Sequence, residues 1–360
     1  MKRAVCGLLI SLTLTMSVSS QEVGVKERAI RSKNDAEFQK VLDICKNEKA
    51  TYTVDRNTLP DDVELKDLAG ASAGGINRGP AAPLDRSREV PSHFDWTEKA
   101  CVTSVKYQGN CGSCWAFACA AVVEAGCLIN EHKNIDLSEQ DLISCNSMGF
   151  SCKGGNYMAL TQVMQNGLAL EQDLPYQGVE TACTNVPRTC RIKMWYTVSS
   201  DVDSMKSAIM QYGPIYTHLT VDSNFQFYSG GIYNHDATEG TQHAIVIIGW
   251  NDQYQSWIIK NSWGDWWGIR GMAYVQYGKS GIGNYSACID YNVETIQIGT
   301  VSSSDGVANV RSGPGTNYSI LTALRNGTQV KVLSLEGNWY RVTLDDGRTG
   351  YIYSNILKVN

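Results

Sequence analysis

Residues 107–117 read YQGNCGSCWAF. Cys111 and Cys114 stand three apart, with Gly and Ser between them. Alone, a C-x-x-C is a redox dithiol, half of a zinc site, or a nucleophile beside a structural cysteine. Each reading asks for different surroundings. A zinc site needs a second ligand pair, and a redox pair belongs to a reducing compartment. Downstream of Cys114, WAFACAAVV repeats apolar residues at helical spacing, so Cys114 opens a helix. A helix N-terminus stabilises an anion, and the thiolate is the reactive form of cysteine. QHAIVIIGW then places His243 at the start of an apolar strand, 129 residues after Cys114. IIKNSWGDWWGIRG places Asn261 147 residues after it. A base on a rigid strand and an amide to orient it are what a nucleophilic thiol requires.

QGNCGSCWAF, CKGGNY, QHAIVIIGW and IIKNSWGDWWGIRG, in that order, resemble the papain family of cysteine proteases. The resemblance covers residues 90–298, and VPSHFDWTEKACVTSVKYQG is similar to the start of a mature chain of that family. It implies an α+β fold of two lobes, a helical lobe followed by a β-barrel-like lobe. It implies Cys114 as nucleophile, His243 as its acid–base partner and Asn261 as the orienting amide. Gln108, six residues before Cys114, is then an oxyanion donor together with the Cys114 N–H. Preorganised donors of this kind contribute about 3–4 kcal/mol each. By the same likeness Trp263 shields the His243–Asn261 hydrogen bond, and Gly154 and Gly155 pair with an extended substrate. His218, Tyr157 and Val293 are candidates for the pocket taking the second side chain upstream of the cut. A plain turn for the two glycines and a structural role for His218 stay open. His93, His132 and His235 lie in polar surroundings and are expected at the surface. The resemblance also implies the disulfides Cys111–Cys152 and Cys145–Cys183, with Cys190 a rival for the second. Cys288 lacks its usual partner, because YNHDATEGTQ contains no cysteine. Ten cysteines follow residue 90, so nine remain beside Cys114 and at least one is unpaired; Cys119 is the candidate.

The flanks are read from composition. Lys2 and Arg3, the apolar run AVCGLLISLTLTMSV and the small residues SVSSQ have the layout of a signal peptide cut after Ser20. An uncleaved anchor is the alternative, and no other stretch is expected to span a bilayer. A secreted, extracellular protein, or one in a lysosome-like compartment, keeps its disulfides. Residues 21–89 form a propeptide and linker. DAEFQKVLDICKNEK is helical, and LAGASAGGINRGPAAPLDRSREVP is expected to be loose. The segment is similar to the later part of the family's inhibitory propeptide, with the first helix expected short or absent. Beyond polar VSSSDG, residues 304–360 alternate short strands with turns such as GPG, NGT and DDGRTG. That pattern predicts a small β-barrel, similar to a bacterial-type SH3 domain. Trp339, Tyr340, Tyr351 and Tyr353 form either an aromatic platform or the barrel core. Such domains imply a cell-wall peptide or surface glycan as ligand.

With 43% hydrophobic and 19% charged residues and a net charge of −5, the chain is an ordinary globular protein with no field for nucleic acid. No metal or cofactor is implied, and a monomer acting on protein or peptide substrates is expected. The sequence therefore reads as a secreted cysteine endopeptidase, made as a zymogen and carrying a C-terminal binding module. The alternatives are a cell-wall peptide hydrolase and a non-enzymatic adhesin on a protease fold. NYS at 284 and 317 and NGT at 326 are glycosylation sequons only on a eukaryotic secretory route.

Overall fold

The computed structural model describes residues 9–72, 79–291, 297–344 and 347–359, with side chains from Glu27 onward. The side chains of the expected leader and the pocket candidate Val293 lie outside the described residues. Helix α1 (Leu9–Asn47) leads into strand β1 (Tyr52–Val54) and the one-turn helix α2 (Leu65–Leu68). Helix α1 thus begins inside the expected leader, far upstream of the stretch read at 35–49, and its part from Gln21 to Asn47 is not short. After the short strand β2 (His93–Asp95) come helices α3 (Cys114–Glu131), α4 (Glu139–Cys145) and α5 (Leu160–Asn166), then the hairpin β3 (Leu168–Ala169) and β4 (Arg188–Cys190). The sheet lobe follows: β5 (Met194–Val198), α6 (Val202–Tyr212), β6 (Ile215–Val221), α7 (Ser223–Gln226), β7 (Tyr228–Tyr233), β8 (Thr241–Asn251), β9 (Ser256–Lys260), β10 (Met272–Gln276) and β11 (Asn284–Asp290).

Helix α3 is apolar nearly all round, which suits a helix enclosed on every side. Its residues from Cys114 to Ala120 are all buried. It stops at His132, whose left-handed backbone (φ 57°) turns its N–H onto the Leu128 carbonyl. By length and composition α3 could cross a membrane, which corrects the expectation that only the N-terminal run could; its burial makes it the core helix.

The sheet runs β1-β7-β10-β9-β8-β6-β11-β5, with β2 on β8. Strands β8 and β9 are buried along most of their length, which explains their continuous apolar runs. One edge strand, β1, comes from the prosegment: Tyr52 pairs with Gly231 and Thr53 with Gly230. At the other edge Ala81 bridges Thr197 of β5 in parallel, so the segment read as a loose linker is docked where it is described.

The C-terminal unit has β12 (Gln297–Val301), β13 (Val307–Arg311), β14 (Ile320–Arg325), β15 (Gln329–Glu336), β16 (Trp339–Thr343), β17 (Thr349–Tyr353) and β18 (Leu357–Val359). Val310, Val332, Val342 and Ile352 lie in its core. It starts earlier than residue 304, because β12 pairs with β15 and β18. VSSSDG is not a spacer either: the Ser303 N–H donates to Asn326 Oδ1 and Asn326 Nδ2 donates back to Ser303 O, both at 2.8 Å. Trp339 stands opposite Tyr353 and Arg341 opposite Tyr351, so three of the four aromatic candidates share the outer face. Tyr340 packs against the core instead.

Among the described residues two disulfides are present, Cys111–Cys152 and Cys145–Cys183. Cys101, Cys119, Cys127, Cys190 and Cys288 are unpaired, so Cys119 is one of several.

Candidate active site

Cys114 sits at the first turn of α3, fully buried. The loop before it is tied to the CKGG loop twice, by the Cys111–Cys152 disulfide and by the Gly112 N–H on the Cys152 carbonyl at 2.9 Å. From the sheet lobe, β8 presents His243, and Asn261 follows directly after β9. Asn261 Oδ1 accepts from His243 Nε2 at 2.7 Å, which fixes the ring and leaves Nδ1 without a protein partner. The Ala244 N–H points at Cys114 Sγ from 3.4 Å. Trp263 lies 4.5 Å from the His243 ring and is fully buried against Phe225. It packs on the imidazole and walls it off from water.

Gln108 donates from Nε2 to the Cys111 carbonyl at 2.8 Å. Its Oε1 accepts from Ser262 Oγ at 2.7 Å, so Ser262 orients the amide with its donors toward the cleft. Ser262 was not picked out from the sequence, although it stands inside the KNSWG block.

The cleft is filled by the chain itself. Gln108 Nε2 donates its other hydrogen to the Leu68 carbonyl at 2.9 Å. The Gly70 N–H points at Cys114 Sγ from 3.3 Å. The Gly155 N–H donates to Gly70 O at 3.0 Å, Ser72 N–H donates to Gly155 O at 2.8 Å, and Ala71 N–H donates to Gln242 O at 3.0 Å. This is a parallel bridge between Ala71 and Gly155. The glycines are required by space. Gly154 has a φ of 135°, and a Cβ there would lie 2.8 Å from Gly70 O; a Cβ on Gly155 would lie 2.6 Å from the Trp115 ring.

Below this rail runs a string of rings. Tyr157 packs on Trp195 at 5.4 Å and on Tyr216 at 5.8 Å. Tyr216 Oη and His218 Nε2 share a 2.8 Å hydrogen bond. His218 is fully buried, and burial pushes its pKa down to about 3, so it is neutral. His235 is not a free surface histidine: its two ring nitrogens meet Asp222 at 2.9 Å and the prosegment residue Glu48 at 2.8 Å.

Covering the site changes its protonation. Burial pushes the Cys114 thiol up to about 11 and the His243 imidazole down to about 4. The pair is therefore neutral in this form, because charged groups lose more than neutral ones when water is excluded. Behind the site, Lys106 Nζ bridges Glu124 and Glu139, each at 2.8 Å, and Lys260 Nζ donates to Thr103 Oγ1 at 2.8 Å. Glu124 is on α3 and Lys260 on β9, so this buried charge cluster joins the two lobes under Asn261. Among the described residues no group of three or more His, Cys, Asp or Glu is placed to hold a metal ion.

The papain family cysteine protease pattern matches residues 90–292, more than half of the chain. The chain belongs to the papain family of cysteine proteases. A bacterial SH3 domain matches residues 305–358. Bovine cathepsin S is 33% identical over 217 residues, 56% of this chain and 65% of its own length. A cathepsin L-like proteinase of Fasciola hepatica is 34% identical over 236 residues, 61% of this chain and 72% of its own. Among solved structures, the ragweed pollen cysteine protease Amb a 11 in its proform is similar with a TM-score of 0.63 and 28% identity. That likeness covers 74% of this chain and 87% of the other. It is a proform, and the cleft described above is a papain-family cleft with its own prosegment lying in it.

Proposed function

We propose that the chain is the zymogen of a secreted cysteine endopeptidase whose barrel serves as a targeting or binding module. The observation that carries this reading is the pair of contacts at the nucleophile. The Leu68 carbonyl sits on the Gln108 amide and the Gly70 N–H sits on Cys114 Sγ, so an extended backbone already fits the reactive groups. The prosegment runs from Leu68 at the nucleophile toward Ser72 at Gly155. If Gly155 pairs with the substrate residue upstream of the cut, as the family likeness implies, the prosegment runs opposite to a substrate. That direction makes it an occupant rather than a substrate.

With the cleft open, water reaches Cys114 and His243, and the proton can move from thiol to imidazole. The thiolate then attacks a peptide carbonyl carbon. The oxyanion takes the place of the Leu68 carbonyl, held by Gln108 Nε2 and the Cys114 N–H. The imidazolium gives its proton to the leaving amine, and water hydrolyses the thioester. Asn261 keeps the ring in place, so its role is positioning. On the barrel, Trp339, Tyr351 and Tyr353 share one half-exposed face and form the surface offered to a wall peptide or a glycan.

The test is turnover of a fluorogenic peptide together with labelling by an epoxysuccinyl thiol probe. Cys114→Ala should abolish both with the fold intact, and His243→Ala should be nearly as damaging, since the two groups act as one unit. Steady turnover by a pure, folded Cys114→Ala chain refutes the assignment. A wild-type chain, freed of its prosegment, that neither turns over peptide nor takes the label is a binding protein on a protease fold.

A further inference from the structure

Residues 79–86 form a strap on the catalytic domain, well away from the nucleophile. The Thr197 N–H donates to Pro80 O at 2.8 Å and the Ala82 N–H donates to Thr197 O at 2.9 Å, so the strap adds a strand to the free edge of β5. Helix α6 supplies the other anchors. Gln211 Nε2 and Tyr212 Oη both donate to the Pro83 carbonyl, at 2.9 and 3.0 Å, and Gln211 Oε1 accepts from the Asp85 N–H at 2.8 Å. Ala82 and Leu84 pack on the sheet-lobe core. Gly79 lies flat on the Trp195 indole, where a Cβ would overlap the ring. Beyond the strap, residues 86–90 are exposed, and their turn is open to a protease.

We propose that the β5 edge and the Gln211–Tyr212 pair are a second docking surface for the prosegment, and that it keeps the prosegment bound after the chain is cut in the 86–90 turn. Activation is then two separable steps. Hydrolysis of one peptide bond, water adding OH to the acyl carbon and H to the amine, severs the chain; release of the strap and of the cleft segment follows. The strap suits this role chemically. Pro80 and Pro83 offer carbonyl acceptors that β5 and α6 take up, and have no N–H that needs a partner. The inference rests on the zymogen reading above.

The experiment uses the full chain carrying Cys114→Ala, with a site-specific protease sequence inserted between Arg88 and Glu89. After the cut, size-exclusion chromatography and mass spectrometry follow whether the N-terminal piece stays with the catalytic domain, and dilution gives its release rate. With Gln211 and Tyr212 in place the piece should co-elute. Gln211→Ala with Tyr212→Phe should speed release at least tenfold, and so should Gly79→Leu from the strap side. Combining both changes should add little, since each breaks the same docking. Equal release rates with and without Gln211 and Tyr212 overturn the second docking surface and leave the zymogen reading standing. Immediate release from every chain overturns both.

Discussion

Gly70 is where the cleft contact is most open to attack by a single methyl group. It does not need glycine for its backbone angles, since it is not among the residues with positive φ. It needs glycine for space: an added Cβ would overlap the Gly112 carbonyl oxygen, with the Gly112 carbonyl carbon at 2.5 Å and Cα at 2.7 Å. These are backbone atoms of the loop pinned by the Cys111–Cys152 disulfide, so they cannot swing aside as a side chain would. In Gly70→Ala the prosegment must therefore lift by about an ångström, enough to break most short hydrogen bonds there. Those at risk are Gly70 to Cys114, Gly155 to Gly70, Ala71 to Gln242 and Ser72 to Gly155. At about 0.5–1.5 kcal/mol each, the loss of all four is about 2–6 kcal/mol. That weakens cleft occupancy roughly 30- to 20,000-fold. The prosegment remains attached through α1 and β1, so the chain keeps its fold. The assay is the rate at which the uncut precursor reacts with an epoxysuccinyl thiol probe, read by intact mass. Gly70→Ala should label faster by roughly the factor above, with Cys114→Ala as the unlabelled control. Equal rates in wild type and Gly70→Ala would show that the Leu68–Ser72 segment does not govern access to Cys114.

The Asp222 carboxylate, and after it Glu48, raise the His235 pKa to about 9; Asp222 stays beside His235 when the prosegment leaves, so only the Glu48 part favours docking, and that part is lost as pH rises through about 9. Probe labelling of the precursor should accelerate between pH 8 and 10, and His235→Gln should abolish that rise; an unchanged profile in His235→Gln refutes the link. Glu124 is buried on α3 and accepts from Lys106, Thr103 and the Leu137 N–H, so Glu124→Leu removes one partner of Lys106, which keeps Asp136 and Glu139, and leaves the Thr103 hydroxyl under Lys260 and the Leu137 N–H without their acceptor, at a cost of about 3–5 kcal/mol. At about 2–4 °C per kcal/mol, thermal unfolding should drop by roughly 6–20 °C, and a drop under about 3 °C would show the network to be dispensable. Deleting residues 297–360, so that β12 leaves with its barrel, should spare turnover of a small peptide and reduce binding to walls or matrix; collapse of turnover with binding intact would refute a separate module.

What was legible in the sequence is what side chains spell out. Cys114, His243, Asn261 and Gln108 are residue types that thiol chemistry demands, set in short runs with strong helix or strand character, and the structure brings all four together. The strand β12 before residue 304, which joins the barrel's sheet, is hidden by composition. Serines and an aspartate look like a spacer, yet Ser303 spends its backbone groups on Asn326, which no local pattern announces. His235 looked superficial because its polar neighbours in sequence are not its partners; Glu48 lies 187 residues away.

The regulatory contacts were the least visible, and they share one cause. Leu68, Gly70, Ala71 and Ser72 act through carbonyl and N–H groups that nearly every residue carries. The strap does the same through Pro80, Ala82 and Pro83. Gly, Ala and Pro therefore read as a loose linker, because flexibility is inferred from small side chains and not from the partners a backbone will meet. The side chains that do carry information stand on the receiving surface: Gln108, Gln211 and Tyr212 are the donors, and Gly112 and Trp195 set the space. A prosegment of this kind can drift in sequence so long as it stays small at Gly70 and Gly79 and offers carbonyls in register. Its specificity lies in the catalytic domain, so substitutions at Gln211 and Tyr212 should shift its release more than conservative changes along the strap itself.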